Sequence, residues 1–188
     1  MTDFINIFID TNIMLDVIEN RNRDVKQFVS QLIKHHKKGD IQLTTSIYNI
    51  TELLDKEFEI SYFLECMKEK LSGDVIIRRR GTRGFYCERT IRNKNKIIKK
   101  VNNFLKKSEL EIYTSTLPIE EQDTLYKLLG DRGIRSQDAI IISCALHNES
   151  DYFFTSDGNL KNALPEIIYA YDISREEDRD TILRTMLT

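Results

Sequence analysis

The sequence predicts an α/β fold in which a central, mostly parallel sheet lies between two layers of helices. Residues 4–9 are nearly all apolar, which is typical of a strand that is buried on both faces of a parallel sheet. Behind them, strand-like and helix-like segments alternate along the 188 residues, as in chains built from βαβ units. No internal repeat and no Pro- or Gly-rich linker divides the chain, so we expect a single domain.

Each predicted strand is a short apolar or β-branched run bounded by polar or turn residues. The strands are expected at residues 4–9, 41–44, 110–114, 152–155 and 167–171. Helices are expected between them, where apolar residues recur at intervals of three and four. The first helix opens behind Asp10, and the others cover about residues 25–38, 47–71, 90–107, 118 onward and 136–147.

The chain is expected to divide into a main unit, an insert and a tail. The main unit is expected at residues 1–174, with an insert at about residues 73–108. The first part of the insert, from Gly73 to about Arg92, has turn residues and no clear period, so an irregular excursion is expected there. Residues 175–188 are a charged C-terminal tail, for which a terminal helix is one interpretation.

Composition excludes several classes of protein. With 40% apolar and 31% charged residues, the chain is expected to be soluble and globular rather than disordered or fibrous. No stretch approaches the roughly 20 apolar residues that span a bilayer, and no apolar signal segment follows the N-terminus. The three cysteines, Cys66, Cys87 and Cys144, are too widely spaced for a disulfide framework, which favours a reducing cytoplasm.

Three acids stand out as candidate site residues. For two of them the reason is that chemistry in open α/β sheets lies outside the carboxyl ends of the strands. Asp10 follows the first strand, although a carboxylate there can simply cap a helix. Asp157 follows the fourth strand, although Asp-Gly is also a common turn. Asp138 shares a helix face with Ile141 and Ile142, where a carboxylate loses water and needs a cation or donors. The alternative for Asp138 is an acid in the first helical turn, favoured by the helix dipole.

Two further acids have weaker signals. On a helical wheel Glu52 lies nearly opposite Ile50 and Leu54, so periodicity alone indicates a solvated surface acid. Asp16 shares the first helix with apolar neighbours and could support a site, but an exposed position is the expectation.

Taken together, four segments resemble the PIN-domain nucleases. The segments are residues 8–16 (FIDTNIMLD), 45–54 (TSIYNITELL), 137–141 (QDAII) and 155–160 (TSDGNL). The resemblance is to toxin-type, VapC-like ribonucleases of that family, with a longer basic insert. It implies a doubly wound, Rossmann-like α/β/α fold and metal-dependent hydrolysis of phosphodiester bonds, usually in RNA. The family's acidic positions fall on Asp10, Glu52, Asp138 and Asp157, and its supporting polar positions fall on Asn12 and Thr155.

The chemistry of such a site explains its acidity. Four carboxylates within a few ångströms repel one another unless a cation lies between them. Oxygen ligands without a nearby Cys or His point to Mg²⁺ or Mn²⁺ rather than Zn²⁺. One or two such ions can activate a water that attacks the phosphate, and the resemblance implies 5′-phosphate and 3′-hydroxyl products. Because this route does not use the ribose 2′-hydroxyl, the chemistry alone does not separate RNA from DNA.

The insert is strongly basic. In residues 78–107 twelve cations stand against one acid, so this stretch carries +11 and the remainder −13 of the net charge of −2. A solvated helix face is the ordinary explanation of a charge run. The asymmetry favours nucleic-acid binding instead, because a basic arm restores the attraction for a polyanion that an acidic site repels. The candidate binding residues are Arg78, Arg79, Arg80, Arg83, Arg89, Arg92, Lys94, Lys96, Lys99 and Lys100.

The function that these observations favour is a metal-dependent endoribonuclease in the cytoplasm. If the chain is the toxin of a toxin–antitoxin pair, a small antitoxin would cover the acidic pocket and a homodimer would be common. The first alternative is a catalytically weak PIN-like scaffold that binds RNA during RNA processing. The second is a doubly wound phosphatase, which Asn12 disfavours because a second aspartate would be expected at that position.

Overall fold

The computed structural model describes residues 4–80, 93–114, 122–164 and 166–187. Its strands are β1 (Ile5–Ile9), β2 (Ile41–Ser46), β3 (Glu111–Tyr113), β4 (Tyr152–Thr155) and β5 (Tyr169–Asp172). They form one parallel sheet in the order β3-β2-β1-β4-β5. The chain therefore builds the sheet outward from β1 in one direction and then returns to add β4 and β5 on the other side, so β1 and β4 flank the point where the order reverses.

Helices connect the strands and cover both faces of the sheet. In chain order they are α1 (Thr11–Glu19), α2 (Arg23–Lys38), α3 (Ile47–Lys68), α4 (Gly73–Arg80), α5 (Lys94–Ser108), α6 (Gln122–Tyr126), α7 (Ser136–His147), α8 (Gly158–Ala163) and α9 (Glu176–Met186). A wide turn of π type follows α6 at Lys127–Asp131. The resulting three-layer α/β/α architecture confirms the predicted fold class.

Two hydrophobic cores lie on opposite faces of the sheet because side chains alternate along each strand. Ile7 and Ile9 of β1 join one core with α1, α2, α3, α5 and α9. Phe8 joins the other core with α7, α8 and the turn after α6. Phe8 stacks on Phe153 of β4, with ring centroids 5.7 Å apart. β1 is thus buried on both faces, as its apolar sequence predicts.

The insert is attached to α3 on both sides of the undescribed residues 81–92. Before them, Nε of Arg80 lies 2.7 Å from a carboxylate oxygen of Glu59. After them, the Asn93 side chain donates hydrogen bonds to Ser61 and Glu65, at 3.0 and 2.9 Å. These contacts hold Arg80 and Asn93 against the second half of α3.

The structure corrects the prediction for the start of the insert. The sequence predicts an irregular excursion from Gly73, but Gly73–Arg80 is α4, whose Ile76 packs against Tyr62 and Cys66 of α3. The hydrophobic periodicity of this segment is weak because the helix is short and mostly exposed, so few of its positions need to be apolar. The remainder of the predicted excursion and the predicted helix start at Pro118 lie outside the described residues.

The C-terminal segment is helical and packs on the main core. Ile182 of α9 is fully buried there. Asp178 accepts a hydrogen bond from the backbone N–H of Asp172 at 2.7 Å and also pairs with Lys161 at 2.5 Å. In the part of the chain that the structure describes, no helix is both long enough and apolar enough to cross a membrane.

Lys100 joins α5 to the rest of the domain. Its ammonium contacts Glu19 of α1 and lies 2.8 Å from Glu57 of α3, whose side chain is only 3% exposed. Burial raises the pKa of Glu57 to about 6, although the hydrogen bond from Lys100 lowers it. The other carboxylate oxygen of Glu57 is buried without a hydrogen-bond partner among the described residues. Lys100 is therefore the main counter-charge for this acid.

We expect Lys100→Ala to lower the free energy of unfolding by about 2 kcal/mol. Removing one member of a buried pair costs about 3–5 kcal/mol, and the cost is smaller here because a third of Lys100 is exposed. Urea denaturation measures the change. Lys99→Ala, at the exposed neighbouring position, is the control and should change stability by less than about 0.5 kcal/mol. Equal effects of the two substitutions would contradict this assignment.

Candidate active site

The predicted acids Asp10 and Asp157 follow two neighbouring strands at the same edge of the sheet. Asp10 comes directly after β1, and Asp157 comes two residues after the end of β4. The strands pair with Ile9 opposite Phe154, and the backbone N–H of Asp10 donates to the carbonyl of Phe154 at 3.0 Å. Both acids therefore lie at the carboxyl ends of strands and at the reversal of strand order, where open α/β sheets bind their ligands.

Asp10 is buried, and three hydrogen-bond donors contact its carboxylate. Its Oδ1 accepts the backbone N–H of Thr11 at 2.7 Å, which caps α1. Its Oδ2 accepts the hydroxyl of Thr155 at 2.7 Å and the side-chain amide of Asn12 at 3.3 Å. Burial raises the pKa of Asp10 to about 7; the hydrogen bond from Thr155 opposes the rise, and the charge of Glu52 adds to it. The carboxylate is thus well oriented but lacks a full counter-charge.

Thr155 connects the two strand-end acids. Its hydroxyl donates to Asp10 and accepts the backbone N–H of Asp157 at 3.0 Å. Because Thr155 is fully buried, this hydroxyl has a fixed place between the two acids. Asn12 and Thr155 both contact Asp10, while their supporting role in a reaction stays a prediction.

Glu52 and Asp138 approach Asp10 from the two helix layers. The charges of Glu52 and Asp138 both raise the pKa of Asp10. Burial raises the pKa of Asp138 first of all, followed by the charges of Glu52 and Asp157, while Arg135 and Lys56 lower it. These mutual effects place all four predicted acids in one electrostatic neighbourhood.

The position of Glu52 differs from the surface position that its helical wheel indicates. Glu52 is half-buried, because the buried face of α3 includes Asn49, Leu53 and Glu57 as well as Ile50. Because some residues on the buried face are polar, the positions of the apolar residues alone do not show which face of α3 is buried. Ser46 fixes the start of α3, since its hydroxyl accepts the N–H of Asn49 at 3.3 Å in a capping box. Glu52 follows one and a half turns later, close enough to the strand ends to influence Asp10.

Asp157 also caps a helix. Its Oδ1 accepts the backbone N–H groups of Asn159 and Leu160 at 2.9 and 3.2 Å, which begins α8. Asp157 is therefore a helix N-cap rather than part of an Asp-Gly turn, and this is compatible with a role in the acidic site because the side chain is only half-buried. That role stays a prediction.

A groove of about 460 Å³ opens beside Asp157, and we call it the acid groove. It is lined by Asn12, Asp16, Arg21, Asn22, Ser156, Asp157, Gly158 and Ser174. The expectation of an exposed Asp16 is wrong: the residue is 6% exposed and its carboxylate lies 3.4 Å from Nε of Arg21. Asp16 stands four residues after Asn12 on α1, and this one-turn spacing is the signal that could have placed it at the site.

The oxygen donors of the site fit a hard divalent cation, but the carboxylates do not form a complete coordination shell in this structure. In residues 4–80, 93–114, 122–164 and 166–187, no three Asp, Glu, His or Cys side chains form a group that could hold a metal ion as they stand. Mg²⁺ usually keeps several waters and binds through one or two carboxylates, so it does not need such a cage. The four acids offer only oxygen ligands. Burial, and after it the charge of neighbouring acids, raises the pKa of Asp10 and Asp138, and a bound cation would favour their charged forms.

The predicted nucleic-acid-binding residues fall into three groups. Those that are exposed on α4 and α5 are Arg78, Arg79, Arg80, Lys94, Lys96 and Lys99. Lys100 is half-buried in its pair with Glu57, so it has a structural task there. Arg83, Arg89 and Arg92 lie outside the described residues. Binding of nucleic acid by any of them stays a prediction.

Comparisons with known proteins bear on both the fold and the site. Residues 7–163 match a family model described as PIN domain. A search of curated proteins found no match. Among solved structures, the chain is similar to one in the crystal structure of VapBC2 from Rickettsia felis bound to a DNA fragment from their promoter. That likeness has a TM-score of 0.53 and 16% identity, and it covers 89% of this chain and 99% of that one, so it bears on the fold alone.

Without metal, we expect Asp10→Asn to become more stable relative to the wild type as pH rises from about 5 to about 8. The pKa of Asp10 is about 7 in the folded chain, against an ordinary value of 3.8, so folding disfavours its charged form. The wild type therefore loses roughly 3 kcal/mol of stability as pH rises from about 5 to about 8. Asparagine does not titrate and caps helices as well as aspartate does.

Thermal unfolding in chelator at several pH values measures this difference. Asp131→Asn, at an exposed position in the turn that follows α6, is the control and should show no such trend. A difference between Asp10→Asn and the wild type that does not change with pH would contradict the raised pKa.

Proposed function

The chain belongs to the PIN domain family, whose members are generally nucleases, and we propose that it is an endoribonuclease that uses Mg²⁺ or Mn²⁺. The observation that carries this proposal is the environment of Asp10. Its buried carboxylate has a raised pKa, and Glu52 and Asp138 increase the local negative charge. A bound cation would favour the ionised form of this group, and a nuclease of this kind requires a cation for its chemistry.

The proposed metal ligands are Asp10, Glu52, Asp138 and Asp157. When bound, the ion would supply Lewis acidity to the scissile phosphate and to the attacking water. Thr11 and Thr155 would hold both oxygens of Asp10 in place, as their 2.7 Å hydrogen bonds already do. Because Thr155 also accepts the N–H of Asp157, it would keep these two ligands at a constant separation.

Protons and metal ions would compete for Asp10. A carboxylate with a pKa of about 7 is half-protonated near neutral pH and must lose its proton before it can serve as a ligand. The cations near Asp138, Arg135 and Lys56, act in the opposite direction and help that carboxylate to stay ionised.

We include a protein partner in the proposal. The solved VapBC2 structure contains a chain of similar fold in a complex bound to promoter DNA. By analogy, this chain would be the toxin of a toxin–antitoxin pair, with a small antitoxin covering the acid groove and a homodimer as the assembly. The fold likeness is the support for this part of the proposal.

One observation favours a catalytically weak RNA-binding scaffold as the second candidate. No group of three potential metal ligands is in place among the described residues. A chain that could not draw its acids around a cation would retain the basic insert and still bind RNA. Metal-dependent cleavage separates the two candidates.

We expect purified protein to cleave single-stranded RNA with Mg²⁺ or Mn²⁺ and not with chelator. Asp10→Asn should lower the rate by more than about 100-fold, and Thr155→Val by about 10–100-fold, the usual effect of losing a group that orients a metal ligand. Gel analysis of a labelled RNA measures both rates, and Asp40→Asn is the control.

Cleavage that persists in chelator or in Asp10→Asn would contradict the proposed mechanism. RNA binding without cleavage in either metal would favour the scaffold. The same reaction with single-stranded DNA decides which nucleic acid is the substrate, because the chemistry itself does not.

We expect expression of the wild-type chain alone to arrest bacterial growth if it is a toxin. Asp10→Asn should relieve the arrest and Asp40→Asn should not, because only the first substitution removes a proposed metal ligand. Growth curves at matched protein levels, checked by immunoblot, measure the effect. Equal arrest by all three proteins would contradict toxicity through this site, and normal growth with the wild type would contradict the toxin assignment.

A further inference from the structure

A second groove adjoins the acid groove and shares Arg21 with it. This α1–α3 groove has a volume of about 470 Å³ and is lined by Leu15, Glu19, Arg21, Lys56, Glu59, Ile60, Phe63 and Arg80. Arg21 also lines the acid groove beside Asp157. An extended polymer bound in one groove could therefore continue into the other by passing Arg21.

The cations of the α1–α3 groove are held at the surface by acids that are themselves buried. Arg21 is 53% exposed and its partner Asp16 is 9% exposed, both as side chains. Arg80 is 58% exposed and its partner Glu59 is 11% exposed. Each guanidinium is oriented by a carboxylate on its inner side and offers its outer side to solvent.

Half-exposed ion pairs of this kind contribute little to stability, typically about 0–1 kcal/mol each. What the two pairs do provide is two guanidinium groups of defined orientation beside one groove, each with more than half of its side chain exposed. Arginine suits phosphate binding because its fork of donors matches phosphate oxygens.

The helix α3 connects these cations to the acidic site. Lys56 stands one turn, about 6 Å, beyond Glu52 on the same helix face, and Ile60 and Phe63 follow on that face. Leu15, Ile60 and Phe63 give the groove an apolar wall. A groove with cations on its rim and an apolar wall fits a strand whose phosphates and unpaired bases are both accessible.

We propose that the α1–α3 groove binds single-stranded RNA and leads it into the acid groove. Arg21, Lys56 and Arg80 bind its phosphates, and the apolar wall contacts its bases. The proposal rests on the proposed ribonuclease function, and it assigns a binding role to Arg21 and Lys56, which lie outside the basic insert. A duplex fits less well, because its bases face one another and cannot reach the wall.

The test measures binding separately from cleavage. A fluorescent single-stranded oligouridine is titrated with protein in chelator, and fluorescence anisotropy gives Kd at several salt concentrations. Arg21→Gln and Lys56→Gln should each weaken binding several-fold and reduce the slope of log K against log salt by about 0.7, the value for one phosphate contact on a single strand. Lys38→Gln removes one exposed charge at the far end of α2 and should change neither quantity.

Folding is controlled by the choice of variants. Arg21→Gln leaves buried Asp16 without its cation, so Asp16→Asn/Arg21→Gln is measured beside it and should bind as weakly. Lys56→Gln changes a different helix and tests the groove independently, with thermal unfolding as the check on structure.

Several results would overturn the proposal. Wild-type affinity in the Arg21→Gln and Lys56→Gln proteins would do so, and so would an equal loss in Lys38→Gln. Equal weakening of duplex RNA binding would contradict the role of the apolar wall, and tighter binding of single-stranded DNA would reassign the groove.

The results also separate this proposal from the nuclease function. If the variants weaken RNA binding but the wild type cleaves nothing, the groove binds RNA and the nuclease function is wrong. If the wild type cleaves RNA and the variants bind it normally, the nuclease function is supported and the groove proposal is wrong.

Discussion

The burial of the Asp10 carboxylate is the constraint on which the site depends. A charged group in this position loses its hydration, and only hydrogen bonds from Thr11, Asn12 and Thr155 replace it. The charges of the neighbouring acids raise the free-energy cost of ionising Asp10 further. The stable core on either side of β1 is therefore what keeps an otherwise unfavourable cluster of negative charge in place.

Acids have two different tasks in this fold. Asp10 at the end of β1 and Asp138 on α7 lack a full counter-charge, and burial first, with the neighbouring acids second, raises the pKa of both. Around α3 the acids lie inside and each holds a cation, as Glu59 holds Arg80 and Glu57 holds Lys100. α3 takes part in both arrangements, because Glu52 is near its start and Glu57 and Glu59 follow. One helix thus joins the negative site to the positive surface beside it.

The sequence predicts the elements whose environment is uniform and misses those whose environment is mixed. β1 is apolar on both faces, so its place at the centre of the sheet follows from composition alone. Asp10 and Asp157 can be placed because strand ends in a parallel sheet meet at one edge. Periodicity does not place Glu52 and Asp16, since α3 buries Asn49 and Glu57 along with its apolar residues and α1 buries Asp16 beside Arg21. The family resemblance predicts a site role for Glu52, which the helical wheel does not indicate.

The attachment of the insert at Arg80 and Asn93 has a consequence for how such chains can diverge. Both residues are fastened to α3, so the span between them begins and ends at fixed points on a helix that is already part of the core. The entropic cost of closing a loop grows only slowly with its length, by about 0.6 kcal/mol per doubling. The number of residues between Arg80 and Asn93 could therefore change during evolution with little effect on the free energy of folding, while the acids at the strand ends keep their positions.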